Sequence, residues 1–240
     1  MKAGPRVSVI IPVYNRSRSA RRAVASVFAQ TFKDFEVIVV DDGSTDDIAG
    51  ALADWRTKLR LIRLKRNQGP ASARNAGLAA ARGELAAFLD SDDVWHRPKL
   101  ERQLIHFRNP AVVCAHSDVN LVDESGRLLH RKLRTDMRPY NKGSVPWRGH
   151  ETVVISTAVV RRRAAMTVGF DPGFVAAYAE DADFFVRLQL ACGRGSLRFD
   201  ARPLIDLEWS RLTKEGSSRE IERRLDLLHW HMKNERGVYG

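Results

Sequence analysis

No stretch of this sequence approaches the ~20 consecutive apolar residues that a membrane-spanning helix requires. The first apolar run, Val7 to Tyr14, is broken by Pro12 and leads into Asn15-Arg16 rather than a small-residue cleavage site, a poor fit to a secretory signal. A soluble, cytoplasmic protein is the expectation. Cysteine is scarce: Cys114 and Cys192 form no motif, sit in apolar surroundings and read as reduced core residues, not a disulfide framework. Both the G-x-G-x-x-G dinucleotide fingerprint and the G-x-x-x-x-G-K-[ST] phosphate loop are missing. Acidic residues are in deficit, 29 against 40 Lys and Arg, giving a formal charge of +11 over 240 residues. Such a field favours anionic partners: nucleic acid, anionic lipid headgroups or phosphorylated small molecules. Nucleic-acid binding is disfavoured, because no recognition motif is present and the aromatics are not interleaved with the basic residues.

What is present is an alternation of apolar runs and amphipathic stretches. Val7 to Val13 is β-branched throughout most of its length, as in a parallel strand buried on both faces, with Pro12 at its end. From Ser19 to Gln30, Ala20, Ala23, Val24, Val27 and Phe28 recur at helical spacing, while Arg18, Arg21 and Arg22 face outward. Phe35 to Val40 is a second strand, after which Ser44 is expected to cap a helix favoured by Asp46 and Asp47. Leu59 to Leu64 is a third. Pro70 opens an Ala-rich helix running to about Arg82, with Gly83 as its C-cap. Glu84 to Leu89 is a fourth strand. This first half has the pattern of a doubly wound α/β nucleotide-binding unit.

The second half reads as a strand-like Ala111 to Val122, a turn at Asp123 to Gly126, and a return strand from Leu128-Leu129. A basic, turn-rich stretch follows over Arg131 to Gly149, then a strand over Thr152 to Val160 and a helix opened by Arg161 to Arg163. The turn Phe170 to Phe174 precedes a helix over Glu180 to Leu190, then a late strand over Arg202 to Trp209. Ser218 to Asn234 has the pattern of a cationic amphipathic helix. No repeat or linker divides the chain.

Acids stand where strands end. Asp41 and Asp42 close the second strand, at the edge where open α/β sheets bind ligands. Asp90, Asp92 and Asp93 follow the fourth. Clustered carboxylates repel unless a cation lies between them, and hard divalent ions take such oxygen ligands together with substrate phosphates. The alternative is an acidic turn capping the next helix. Arg74, early in the third helix, suits phosphate or a base face. Glu180 and Asp181 either serve a helix dipole or supply a general base.

Five stretches in order, VSVIIPVYNR (7–16), FEVIVVDDGSTDD (35–47), NQGPASARNAG (67–77), FLDSDDVW (88–95) and GFDPGF followed by AEDADFFVRL (179–188), resemble family 2 glycosyltransferases of the GT-A fold. The resemblance covers about Val7 to Leu190. It implies an α/β fold in which a Rossmann-like nucleotide-binding half with a mostly parallel central sheet is fused to an acceptor-binding half. A single continuous domain over 1–215 is then expected, divided near residue 110 and followed by the basic helix of 216–240. The implied activity is inverting transfer of a sugar from a nucleotide-diphospho-sugar, UDP being the expected nucleotide, to a hydroxyl of a glycan or lipid-linked acceptor in cell-envelope polysaccharide synthesis. Carried over by residue, Pro12 and Tyr14 line the base and ribose, Asp41 or Asp42 accepts from the nucleobase, and Arg74 contacts the nucleotide. Asp90 and Asp92 form the D-x-D element on ribose and Mn²⁺ or Mg²⁺, with Asp93 sharing the metal. Asp181 of the Glu180-Asp181 pair resembles the catalytic base. The family's downstream His has no counterpart in Trp209 to Thr213, where Arg211 is left to supply positive charge. Acceptor specificity is expected in Arg131 to Gly149 and around Thr152 to Ser156, and the basic charge suggests peripheral contact with an anionic inner membrane face. The rival assignments are a nucleotidyltransferase, whose Gly-rich basic loop is replaced here by Pro12-Val13-Tyr14-Asn15, and a non-catalytic nucleic-acid or nucleotide binder.

Overall fold

A computed structural model describes residues 4–131, 153–174 and 180–208. Its first half alternates β1 (Val7–Val13), α1 (Ser17–Phe28), β2 (Phe35–Asp41), the short α2 (Ile48–Ala51), β3 (Leu59–Arg63), α3 (Pro70–Ala80) and β4 (Leu85–Phe88). The second half adds β5 (Val94–Trp95), α4 (Lys99–Leu104), β6 (Cys114–Val122), β7 (Leu128–His130), β8 (Val159–Arg161), α5 (Arg162–Val168), α6 (Glu180–Cys192) and β9 (Leu197–Glu208). All the strands join one sheet in the order β3-β2-β1-β4-β8-β6-β9-β5, with β7 paired to β6. The β3-β2-β1-β4 half is parallel, and the second half joins through antiparallel β8.

Period-2 alternation explains why the first strands are apolar on both faces, with Ser8 as a buried exception in β1. Val7, Val9, Ile11 and Val13 face one side of the sheet, with Val37, Val39, Leu85 and Ala87, under the Ala20, Ala23, Val24 and Val27 stripe of α1. Ile10, Ile38, Val40, Ala86 and Phe88 face the other side and pack against α3, α5 and α6. Both faces are covered, so both residue parities must be apolar. Parallel strands also bring the ends of β1, β2 and β4 to one edge, and the loops that follow carry the acids.

Several local expectations change once long-range partners are visible. Ser44 does not cap α2: its hydroxyl accepts from Asn15 N–H (3.0 Å), and Asp47 caps instead, accepting from Gly50 N–H (2.7 Å). The Ala-rich helix stops at Ala80 and Gly83 lies beyond it, pressed against β1, where a Cβ would sit 2.6 Å from Ser8 N and 2.8 Å from Val7 C. The strand expected from Thr152 begins only at Val159. A 3₁₀ turn over Ile155–Thr157 replaces its start, held by Thr157 Oγ1 donating to Val154 O (2.6 Å). Cys114 is buried but Cys192 is exposed, at the end of α6 rather than in the core. The late strand starts earlier than expected, at Leu197, because it runs parallel to β6. The stretch 132–149 and the helix expected over 218–234 lie outside the described residues. Among the described residues, no helix is long and apolar enough to cross a membrane.

Candidate active site

At the carboxyl edge of β1, β2 and β4 the loops enclose a cleft of about 370 Å³. Open α/β sheets place ligands at this edge, where the strand order reverses. Pro12, Tyr14, Asp42, Arg74, Asp90, Asp92, Asp93, Glu180 and Asp181 all line it, so nearly the whole expected set converges. Asp41 does not. It is buried behind the β2 loop, accepting from Ser44 N–H (2.8 Å) and facing Arg63 Nε at 3.5 Å. Arg211 lies outside the described residues.

Asp42 holds the next loop in place. Its two oxygens accept from Gln68 N–H (2.9 Å) and Gly69 N–H (2.8 Å), the latter made available by the left-handed backbone of Gly69 (φ 86°) ahead of Pro70. Burial outweighs these donors and lifts its carboxyl above the usual range.

Residues after β4 are fixed from beneath. Asp90 N–H donates to Ser156 Oγ (3.0 Å), Trp95 Nε1 donates to Ser156 O (2.9 Å), and Asp93 N–H donates to Asp90 O (3.1 Å). Ser156 is fully buried and supports the acid loop from beneath. Asp93 is buried too, and its Oδ1 accepts from Glu208 N–H (3.1 Å) at the end of β9. Burial and the neighbouring Asp92 and Asp90 push its carboxyl well above the ordinary value. Asp90 and Asp92 remain partly accessible. Asp92 is raised by burial and by Asp90's charge, against the pull of Arg16, whose Nη1 pairs with Asp92 Oδ2.

Arg74 joins the two sides of the cleft. Its Nη2 donates to Asp90 Oδ1 (2.8 Å) and its Nη1 to Glu180 Oε1 (2.6 Å), with the guanidinium 5.5 Å over the Phe170 ring. At 3% exposure its terminal nitrogens are committed to protein carboxylates. Among the described residues, Arg74 Nε and Glu180 Oε2 are buried without hydrogen-bond partners. Phe170 stacks on Phe184 (4.2 Å) and meets Phe88 edge-on (5.3 Å), fixing α6 against the end of β4. Asn75 completes the mount: its side chain donates to Phe170 O (2.7 Å) and accepts from Phe170 N–H (2.9 Å).

At the start of α6, Asp181 is half-buried, and its Oδ1 accepts from Ala182 N–H (2.8 Å). Burial, then Glu180, lift its carboxyl to about 7 despite Arg74. A group so poised exchanges protons near neutral pH, as a general base must.

Among the described residues no three His, Cys, Asp or Glu side chains form a ready cage. Asp90 and Asp92 supply two close, like-charged carboxylates, which is the protein share of a Mg²⁺ or Mn²⁺ site whose remaining ligands come from substrate phosphates and water. The residues fit such an ion.

The sequence matches the Glycosyl transferase family 2 profile over residues 8–169. The chain belongs to that family. An uncharacterized glycosyltransferase of Rickettsia conorii is 42% identical over 125 residues, covering 52% of this chain and 21% of that protein. The chain spans about a fifth to a half of the length of the curated relatives it matches. Among solved structures, S. aureus TarS 1-349 in complex with UDP-GlcNAc superposes with TM-score 0.68 at 21% identity, over 93% of this chain and 66% of that one. The mannosyltransferase PcManGT from Pyrobaculum calidifontis, in complex with GDP-Man and Mn²⁺, gives 0.62 at 23% identity, over 84% and 58%. These likenesses establish the GT-A glycosyltransferase fold for this family 2 member.

Sequence reasoning left four contributors without a role: Arg16, Asn75, Phe170 and Glu208. Glu208 is an acid at a strand end, the signal that picked out Asp41 and Asp90, and it could have been found the same way. The others depend on contacts between distant segments.

Proposed function

We propose that this family 2 glycosyltransferase inverts the anomeric centre, moving a sugar from a nucleoside-diphosphate donor, UDP-linked in the first instance, to a hydroxyl of a glycan or lipid-linked acceptor. The observation that supports the proposal is the convergence in one cleft of Asp90 and Asp92, from the loop after β4, with Asp181, poised near 7, at the start of α6.

Pro12, Tyr14 and Asp42 form the nucleoside end. Tyr14, 42% exposed, offers a ring for the base, and the lone pairs that Asp42 does not give to Gln68 and Gly69 accept from the N–H groups of the base. Asp90 and Asp92 would hold the divalent ion, with Asp93 bracing the loop from behind. When bound, the ion stabilises negative charge on the departing diphosphate. Asp181 takes the proton from the acceptor hydroxyl as its oxygen bonds to the anomeric carbon. The carbon–oxygen bond to phosphate breaks, and its electron pair leaves with the diphosphate. Glu180 is buried and held in an ion pair with Arg74 through its Oε1, which leaves Asp181 the more accessible acid of the pair. Cell-envelope polysaccharide synthesis and peripheral contact with an anionic membrane remain part of the reading through the chain's charge of +11.

Calorimetric titration with UDP, with and without Mn²⁺, tests the donor half. Wild type is expected to bind UDP only with the metal, and Asp92→Ala to lose that dependence. Metal-independent binding unchanged in the variant would overturn the assignment of Asp92.

A further inference from the structure

The cleft is strongly acidic for a site that must receive a diphosphate. Among the described residues, seven carboxyl groups line it (Asp42, Asp90, Asp92, Asp93, Glu180, Asp181 and Glu208) against two cations, Arg16 and Arg74. Arg74 is locked: its side chain is 4% exposed and spans two carboxylates. Arg16 is not. Among the described residues it makes one ion pair, to Asp92, with the two side chains 39% and 23% exposed. A half-exposed pair of this kind is weakly held and readily exchanged. Its partner is one of the two carboxylates suited to the ion.

The backbone beneath Arg16 is rigid. Asn15 adopts a left-handed φ of 51°, uncommon outside glycine, and three contacts hold it there. Asn15 N–H donates to Ser44 Oγ (3.0 Å), and Asn15 Oδ1 accepts from Thr45 N–H (2.7 Å) and Thr45 Oγ1 (3.1 Å). Ser17 N–H, the next residue, donates to Asp46 Oδ2 (2.8 Å). The β1 and β2 loops are therefore laced together on both sides of Arg16. Its backbone is fixed at the rim while its side chain reaches the acids.

Resting on the proposed donor chemistry, we infer that Arg16 is an exchangeable counter-cation: it neutralises Asp92 in the empty site, cedes that carboxylate to the divalent ion, and turns its guanidinium to the donor's diphosphate. The planar fork of an arginine matches phosphate oxygens in pairs, which a lysine ammonium cannot do. Arg16 is thus a positioning residue that keeps one charge in the cleft through two successive partners.

Two opposed effects follow, and a static structural role produces neither. Arg16→Ala removes a competitor for Asp92, so Mn²⁺ alone should bind about two- to fivefold tighter. The same variant removes a charge-assisted contact to phosphate, so UDP in the presence of saturating Mn²⁺ should bind roughly tenfold weaker. Arg16→Lys should keep Mn²⁺ affinity near wild type and lose part of the UDP affinity. The experiment is titration of Mn²⁺ alone, followed by electron paramagnetic resonance of the free ion, and of UDP with Mn²⁺ by calorimetry, on wild type and both variants, with far-ultraviolet circular dichroism confirming the fold. Opposite movement of the two affinities supports the exchange. Parallel loss of both, or no change in either, overturns it while leaving the donor assignment intact. Wild-type protein that binds none of UDP, GDP and dTDP with Mn²⁺ overturns the donor assignment and the exchange together.

Discussion

Removing Arg74 should destabilise the fold, and by an amount that depends on pH. Its guanidinium is the cation between Asp90 and Glu180 at 2.8 and 2.6 Å, almost fully buried over the Phe170 ring. Arg74→Ala leaves those carboxylates, with Asp181 beside them, uncompensated in a low-dielectric site. Breaking a buried pair from one side costs about 3–5 kcal/mol, a large share of the ~5–15 kcal/mol that holds a domain folded. The sign of the pH effect follows from Asp181, whose folded pKa of about 7 stands well above the 3.8 of an unperturbed aspartate. A carboxyl raised on folding opposes folding once it is ionised, so its penalty grows as pH rises from the unfolded value through about 7. Arg74 restrains that rise, and without it Asp181 is pushed higher. Protonation relieves Asp181 at low pH, and each tenfold loss of its acidity is worth ~1.4 kcal/mol. Urea unfolding followed by tryptophan fluorescence should give the variant a deficit of about 3–5 kcal/mol at pH 8 and a deficit smaller by ~1–2 kcal/mol at pH 5. A loss below about 1 kcal/mol at pH 8, or one that deepens on acidification, would refute the reasoning.

Gly83→Ala should cost ~1–3 kcal/mol in the same unfolding assay, since the added Cβ meets backbone of β1 that cannot yield without shifting the sheet. An unchanged midpoint would mean that β1 and Gly83 are less closely pressed together. Ser156→Ala removes the acceptor for the buried Asp90 N–H and should cost about 1–3 kcal/mol while weakening Mn²⁺-dependent UDP binding. Full retention of both stability and binding would separate Ser156 from the acid loop.

The parallel half of the sheet was legible because strands covered on both faces are apolar on both parities, and β1, β2 and β4 are so apart from Ser8 in β1 and Glu36 and Asp41 in β2. Acids immediately after such runs stood out for the same reason: Asp42, Asp90 and Asp92 are placed by strand ends, and one edge collects them. What was illegible depends on partners far along the chain. Choosing between Asp41 and Asp42 needed the loop at Gln68-Gly69, 26 and 27 residues away, which takes one and leaves the other behind the site. Ser156 looked like a strand residue, since nothing local announces that Asp90 and Trp95 will bond to it. Arg16 closes the first motif yet reads only as polar loop, because its meaning lies in Asp92, 76 residues on.

The most direct test of Asp181 as the base is nucleotide release from a UDP-sugar, UDP-GlcNAc first, by wild type and Asp181→Asn across pH 5 to 9, with UDP and Mn²⁺ binding measured alongside. The wild-type rate is predicted to rise with a single deprotonation near pH 7, and the variant to be slower by about a hundredfold or more with binding unchanged. A variant that releases UDP as fast as wild type, with the same pH profile, would contradict Asp181 as the base and the mechanism built on it.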